Sequence, residues 1–185
     1  MLIRKNEGGL MKNIPTVNQP LAGLEIIELS NMITCSLAAM TMAAQGANVI
    51  KVEPPLGGDQ MRPLGTQKNG ISGFFHNCNR GKRSLAIDLK SEAGVEAVKK
   101  LAARADVLLH NYRPGVMDRI GLGSDILREI NPKLIYVAVS GFGTKGPMSK
   151  LPAFDHVIQG LAVLLIYRLR IIISLILFVH FFAIK

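Results

Sequence analysis

An α/β fold built on an open parallel sheet, with helices on both faces, is predicted by three observations. Apolar, β-branched stretches at 24–29 (LEIIEL), 47–53 (ANVIKVE), 84–89 (SLAIDL), 107–110 (VLLH) and 134–140 (LIYVAVS) have the composition of buried strands. Helix-like stretches separate them, as crossovers between parallel strands require. At 185 residues the chain is long enough for one domain and short for two.

The helix after the first strand is predicted over 36–45 (SLAAMTMAAQ), rich in Ala, Met and Leu, with Gly46 placed for a left-handed cap. Strand 47–53 ends at Pro54 and Pro55, which cannot continue a central ladder, and one βαβ unit is complete. Gly, Pro and polar residues dominate 56–75, which reads as a long surface loop of the kind that carries function. After strand 84–89, Ser91 is placed to cap a helix running to Arg104, with Val95, Val98, Leu101 and Ala102 on one face. Strand 107–110 leads to a short helix over 116–120 with Gly121 beyond it, then to a helix capped by Ser124, and strand 134–140 closes the pattern. The sheet is Rossmann-like, and such sheets bind ligands beyond the carboxyl ends of their strands. The loops after Glu53, His110 and Ser140 are therefore expected to meet the ligand. Residues 1–20 read as a loose arm without a signal-peptide core, 21–161 as the α/β domain, and 162–185 as an atypical hydrophobic tail.

The net charge of +9 points to an anionic partner. Arg4, Lys5, Lys12, Arg168, Arg170 and Lys185 lie outside the body, which is only mildly basic. With 5% aromatic residues, no Trp and no long basic run, nucleic acid is excluded as a partner and a small polyanion fits better. Cys35 and Cys78 have no CxxC spacing, so neither zinc nor a disulfide framework is indicated, and a reducing cytoplasm is expected.

GFGTKG at 141–146 matches a dinucleotide-binding turn in its glycines alone. That fingerprint opens a helix, whereas Gly146 runs into PMSKLP, so a glycine loop is the reading adopted. Basic groups gather instead at HNCNRGKRS (76–84) and HNYRPGVMDRIG (110–121). Arg80, Lys82, Arg83, Lys90, Arg113 and Arg119 together could hold several phosphates; on charge counts alone an ordinary solvated surface is the favoured reading.

Seven segments in order decide between these readings: PLAG (20–23), GANVIKVE (46–53), Gly58-Asp59 with Arg62, NRGKRSLAIDLK (79–90), ADVLLHNYRPGVMDRIGL (105–122), NPKLIYVAVSGFGTKGP (131–147) and PAFDHVIQG (152–160). Together they resemble the N-terminal part of a class III coenzyme A transferase, the CaiB/BaiF family. The resemblance implies coenzyme A or acyl-CoA as substrate, a carboxylic acid as acceptor, and no metal. It implies that Lys90, Arg113 and Arg119 hold phosphates, that Ile87 and Ile120 flank the adenine, and that Asn111 and Tyr112 line the nucleotide. The turn at 31–35 would meet the CoA chain, although NMITC departs from the small-residue pattern of the family. The implied chemistry uses an aspartate that attacks the thioester, giving an acyl-aspartyl anhydride and then an aspartyl-CoA thioester.

No acidic residue follows Asp155, so that nucleophile is expected to be missing and no catalytic residue is assigned. Asp155 beside His156 suits a capping or structural role, since sequence neighbours on a helix point apart. The racemase branch of the family places a histidine where this chain has Phe154, which favours the transferase branch. The tail from 162 has no Gly, Pro, Asp, Glu or Asn. A membrane anchor is one reading, but Arg168 and Arg170 divide the tail and leave less than the roughly 20 residues a span needs. A buried core segment would need a partner on every side. The expectation adopted is a shifted or prematurely ended reading frame. Family members are longer and form interlocked two-chain rings, a dimer not expected here; a non-catalytic CoA-binding or dimerisation module stays open as the alternative.

Overall fold

The computed structural model describes residues 19–161 and 169–170. Its central element is a five-stranded sheet of β1 (Glu25–Leu29), β2 (Asn48–Glu53), β5 (Arg83–Ala86), β6 (Val107–His110) and β7 (Ile135–Ala138). The order is β5-β2-β1-β6-β7, and every neighbouring pair is parallel. The chain steps outward from β1 through β2 to β5, then returns past β1 to β6 and β7. The direction of winding reverses between β1 and β6, which makes their carboxyl ends the switch point where such sheets bind ligands.

Helices α1 (Ile33–Ala44) and α2 (Gly73–Asn79) pack against each other on one side. Alternation along the strands then sorts the core. Ile26, Val49 and Leu109 meet Cys35 and Ala39 of α1. Ile27, Leu29, Val52 and Leu108 meet the opposite layer, namely Val98 and Ala102 of α3 (Glu92–Ala102), Met117 of α4 (Val116–Arg119) and Leu127 of α5 (Ser124–Ile130). β1, β2 and β6 are buried on both faces, as continuous apolar strands predict. The edge strands β5 and β7 are largely exposed, because nothing covers the outer side of an edge strand among the described residues.

The end of α1 follows its sequence: Gly46 takes φ 101°, and the Ala47 amide donates to the Met42 carbonyl at 3.1 Å, a left-handed close to the helix. At α3, Ser91 Oγ accepts from the Gly94 amide at 3.1 Å, the cap expected there. Two expectations are corrected. Residues 56–75 are not a bare loop, because β3 (Gln67–Lys68) and β4 (Ile71–Ser72) form a short antiparallel hairpin and α2 begins at Gly73, capped by Ser72. Ser124 does not cap α5; Gly123 holds the N-cap position and the Ser124 hydroxyl bonds Asp125.

A further helix, α6 (Asp155–Leu161), follows the glycine loop. Residues 141–146 open no helix, in line with the rejection of a dinucleotide turn. The readings for 1–18, and for 162–185 apart from Leu169 and Arg170, lie outside the described residues. Among the described residues no helix is long and apolar enough to cross a membrane, and no cluster of His, Cys, Asp and Glu could hold a metal ion.

Candidate functional site

At the switch point one side chain joins the β6 loop to the β1–α1 turn. Asn111, directly after β6, donates from Nδ2 to the Asn31 carbonyl at 2.6 Å and accepts the Asn31 amide on Oδ1 at 3.0 Å. It also reaches Thr34 Oγ1 at 3.3 Å. The amide of Asn111 thus ties the β6 loop to the turn between β1 and α1. In that turn Met32 has φ 63° and ψ −155°, a combination otherwise almost confined to glycine.

Beneath the turn lies a buried charge network that the sequence reading did not find. Glu28 and Lys51 stand opposite each other on β1 and β2, and Lys51 Nζ lies 2.6 Å from Glu28 Oε1 and 2.8 Å from Asp59 Oδ2. Lys82 Nζ meets Glu28 Oε2 at 2.6 Å. None of the four side chains is more than 2% exposed, so each charge must be answered from within. Ser30 and Ser36 hydroxyls complete the shell around Glu28. Two cations against two carboxylates balance. Burial opposes ionisation of Glu28, but Lys51 and Lys82 overcome it and hold the carboxyl below its ordinary range. Burial likewise opposes the charge on Lys51, and the carboxylates of Glu28 and Asp59 more than offset it. For Lys82, burial prevails and lowers the ammonium. Further along β2, Glu53 chelates Arg62 through two bonds of 2.7 and 2.8 Å and accepts the Asp59 amide at 2.9 Å.

The six basic residues of the sequence reading separate accordingly. Lys82 is buried in the network and is not available to a ligand. Arg83 opens β5 at the amino end of the sheet, lining a hollow of about 370 Å³ with Glu25 and Arg104, at the edge opposite the switch point. Arg80 lines a second hollow of about 220 Å³ with Phe75 and His76 beside α2. Lys90, Arg113 and Arg119 are exposed and, among the described residues, carry no carboxylate partner. Ile87, Tyr112 and Ile120 pack partly buried against the core layer of α3 to α5. The segments after β5 and β6 therefore carry exposed cations, and the apolar side chains between them in sequence pack against one core layer.

Nucleophile candidates fare differently. Burial, with Glu28 nearby, pushes the Cys35 thiol up to about 11, and burial raises Cys78 as well, so neither is a thiolate near neutrality. His110 is buried, its pKa lowered by that burial, and its Nδ1 accepts the Tyr112 amide at 3.3 Å. Asp155 starts α6 and bonds Gln159 one turn on, with His156 exposed beside it.

The parallel sheet with helices on both faces defines a Rossmann-like α/β protein. Comparison with known proteins carries the assignment further. The family model for CoA-transferase family III matches residues 21–168. Succinate–glutarate CoA-transferase of Agrobacterium fabrum is 37% identical over 159 residues, 82% of this chain and 40% of the relative. Acetyl-CoA:oxalate CoA-transferase of Acetobacter aceti is 39% identical over 143 residues, 77% of this chain and 37% of the relative. A crystal structure of a CaiB/BaiF family protein from Brucella suis superposes with a TM-score of 0.74 at 41% identity, covering 78% of this chain and 39% of that one. The chain belongs to the CoA-transferase family III. It spans about 40% of the length of these relatives.

Charge signals in the sequence could have revealed the network. Glu28, Lys51 and Glu53 interrupt otherwise apolar strands, and a charge inside a buried strand demands a partner. What the sequence lacked was the register that places Glu28 opposite Lys51.

Proposed function

We propose that this chain carries the nucleotide-binding part of a family III CoA-transferase: it binds coenzyme A at the switch point of the sheet, and these 185 residues complete no transfer of their own. The observation that carries the reading is the contrast among the cations. Lys51, Lys82 and Arg62 are consumed by internal carboxylates, while Lys90, Arg113 and Arg119 stay exposed without one at the carboxyl edge of the sheet. Arginines that spend no charge on the protein suit phosphate oxygens, which they meet bidentately. Ile87 and Ile120 offer apolar surface for the adenine, and Tyr112 stiffens the loop from within the core. Asn111 contributes by holding the β1–α1 turn through Asn31.

Transfer of CoA to a carboxylate would need the acid nucleophile of the family chemistry. No carboxylate follows Asp155, and Asp155 is engaged with Gln159. These 185 residues should therefore bind CoA without transferring it. Titration calorimetry with CoA should show saturable, salt-sensitive binding that weakens about tenfold or more in Arg113→Ala/Arg119→Ala. The same protein mixed with succinyl-CoA and glutarate should form no glutaryl-CoA. Robust transfer, or CoA binding indifferent to both arginines, would overturn the reading.

A further inference from the structure

We propose that Asp59 is a positioning residue: it locks Met32 in its left-handed conformation and so preforms the β1–α1 turn that takes the chain of coenzyme A beyond the nucleotide. The inference deepens the CoA reading and rests on it. Four observations converge. Met32 occupies a backbone region that costs a side-chain-bearing residue free energy and persists only where its surroundings impose it. It has no side-chain cap to hold it there. The imposition comes from Asp59, fully buried, whose Oδ1 accepts the Met32 amide at 3.1 Å and the Met61 amide at 2.9 Å. Asp59 is itself fixed, because Lys51 Nζ lies 2.8 Å from its other oxygen.

From the opposite side Asn111 grips Asn31 by both backbone groups. The turn is thus clamped at consecutive residues by two elements that come from different strands. A structure that needed only to connect β1 to α1 could use an unstrained turn. Strain sustained by a buried carboxylate and its own lysine, at the switch point of the sheet, marks a backbone whose shape matters to a ligand. The Ile33 side chain, 39% exposed, stands at the next position on the open edge.

Asp59→Asn keeps the size of the side chain but leaves one accepting oxygen where the carboxylate has two, so the side chain can no longer answer both Lys51 and the Met32 amide. The turn then relaxes, CoA affinity falls about tenfold, and affinity for 3′,5′-ADP, which lacks the pantetheine chain, stays unchanged. Adding Met32→Gly, which makes the left-handed conformation free of steric cost, restores most of the CoA affinity lost in Asp59→Asn. Damage to the core alone would lower both ligands together and would not be rescued at Met32. Equal CoA affinity in Asp59→Asn and wild type, or no rescue by glycine, overturns the proposal. Should Asp59→Asn fail to fold, Met32→Gly in the otherwise native chain decides: its thermal midpoint rises if the turn is strained, and a fall overturns the proposal. Wild-type protein that binds no CoA sinks the parent reading instead, and amide exchange at Met32, protected in wild type and faster in Asp59→Asn, then decides the hold of Asp59 by itself.

Discussion

Lys51 answers two carboxylates at once, Glu28 at 2.6 Å and Asp59 at 2.8 Å, with only 2% of its side chain in solvent. Lys51→Met leaves both carboxylates against Lys82 alone, and removing one partner from a buried pair costs about 3–5 kcal/mol. Adding Asp59→Asn should recover part of that loss, because Glu28 keeps Lys82 at 2.6 Å and the buried charge again sums to zero. The double variant is therefore predicted to unfold at a higher urea concentration than Lys51→Met, although each single change destabilises; simple additivity gives the opposite order. Glu53 sets a pH dependence by the same logic. Burial raises its pKa, but Arg62, the Asp59 amide and Ser84 prevail and bring it to about 2. A carboxyl depressed in the folded state contributes stability above its unfolded value, about 4.3, and loses it as pH falls through the folded one. Urea midpoints should hold from pH 7 to 5 and drop between about pH 4.3 and 2, and Glu53→Gln should flatten that part of the curve.

At the scale of elements, Gly94 reverses a familiar sign. It is the third residue of α3, where Gly→Ala ordinarily gains about 1 kcal/mol. A Cβ at this position would stand 2.0 Å from the Asp88 carbonyl oxygen and 2.9 Å from Ile87 Cγ2, so backbone has to move. Gly94→Ala should instead cost about 1–3 kcal/mol, read as a lower thermal midpoint. Since the displaced segment bears Ile87 and Lys90, CoA affinity should fall with it; a stabilised variant with unchanged CoA binding would contradict both expectations. Helices α1 and α3 were legible because their ends carry local chemistry, Gly46 in one and Ser91 in the other. The β3–β4 hairpin was not, since two-residue strands have too little alternation to read, and α2 was hidden behind the polar residues that surround it. Of the candidate site, the basic clusters after β5 and β6 were legible as charge, and their proposed phosphate role came only from the family resemblance. The fate of Lys82 could not, because NRGKRS looks the same whether its lysine faces solvent or Glu28.

At the scale of the whole molecule, the described residues form an open sheet whose β7 edge is largely exposed. On β7, Tyr136 turns into the core while Ile135 is 59% exposed and Val137 and Val139 are each 37% exposed. Among the described residues β7 pairs with β6 alone, so its outer edge presents unpaired backbone groups beside that apolar stripe. An uncharged edge of this kind is a template for pairing with another chain. Ile135, Val137 and Val139 carry no charge to deter it, and the nearest lysines in sequence, Lys133 and Lys145, flank the strand without entering it. The isolated chain should therefore associate as its concentration rises, which sedimentation velocity would show as a concentration-dependent shift to faster species. Val137→Lys places an ammonium in the middle of the stripe, where the side chain already meets solvent and contributes little to the core. That variant should sediment more slowly at the same concentration with an unchanged thermal midpoint. Equal sedimentation would mean that association, if present, uses another surface; a lowered midpoint would mean that Val137 packs more tightly than its exposure indicates. The outcome bears directly on the CoA experiments, because aggregation through β7 would bury the adjoining loops and mimic a loss of binding that has nothing to do with Arg113 or Asp59.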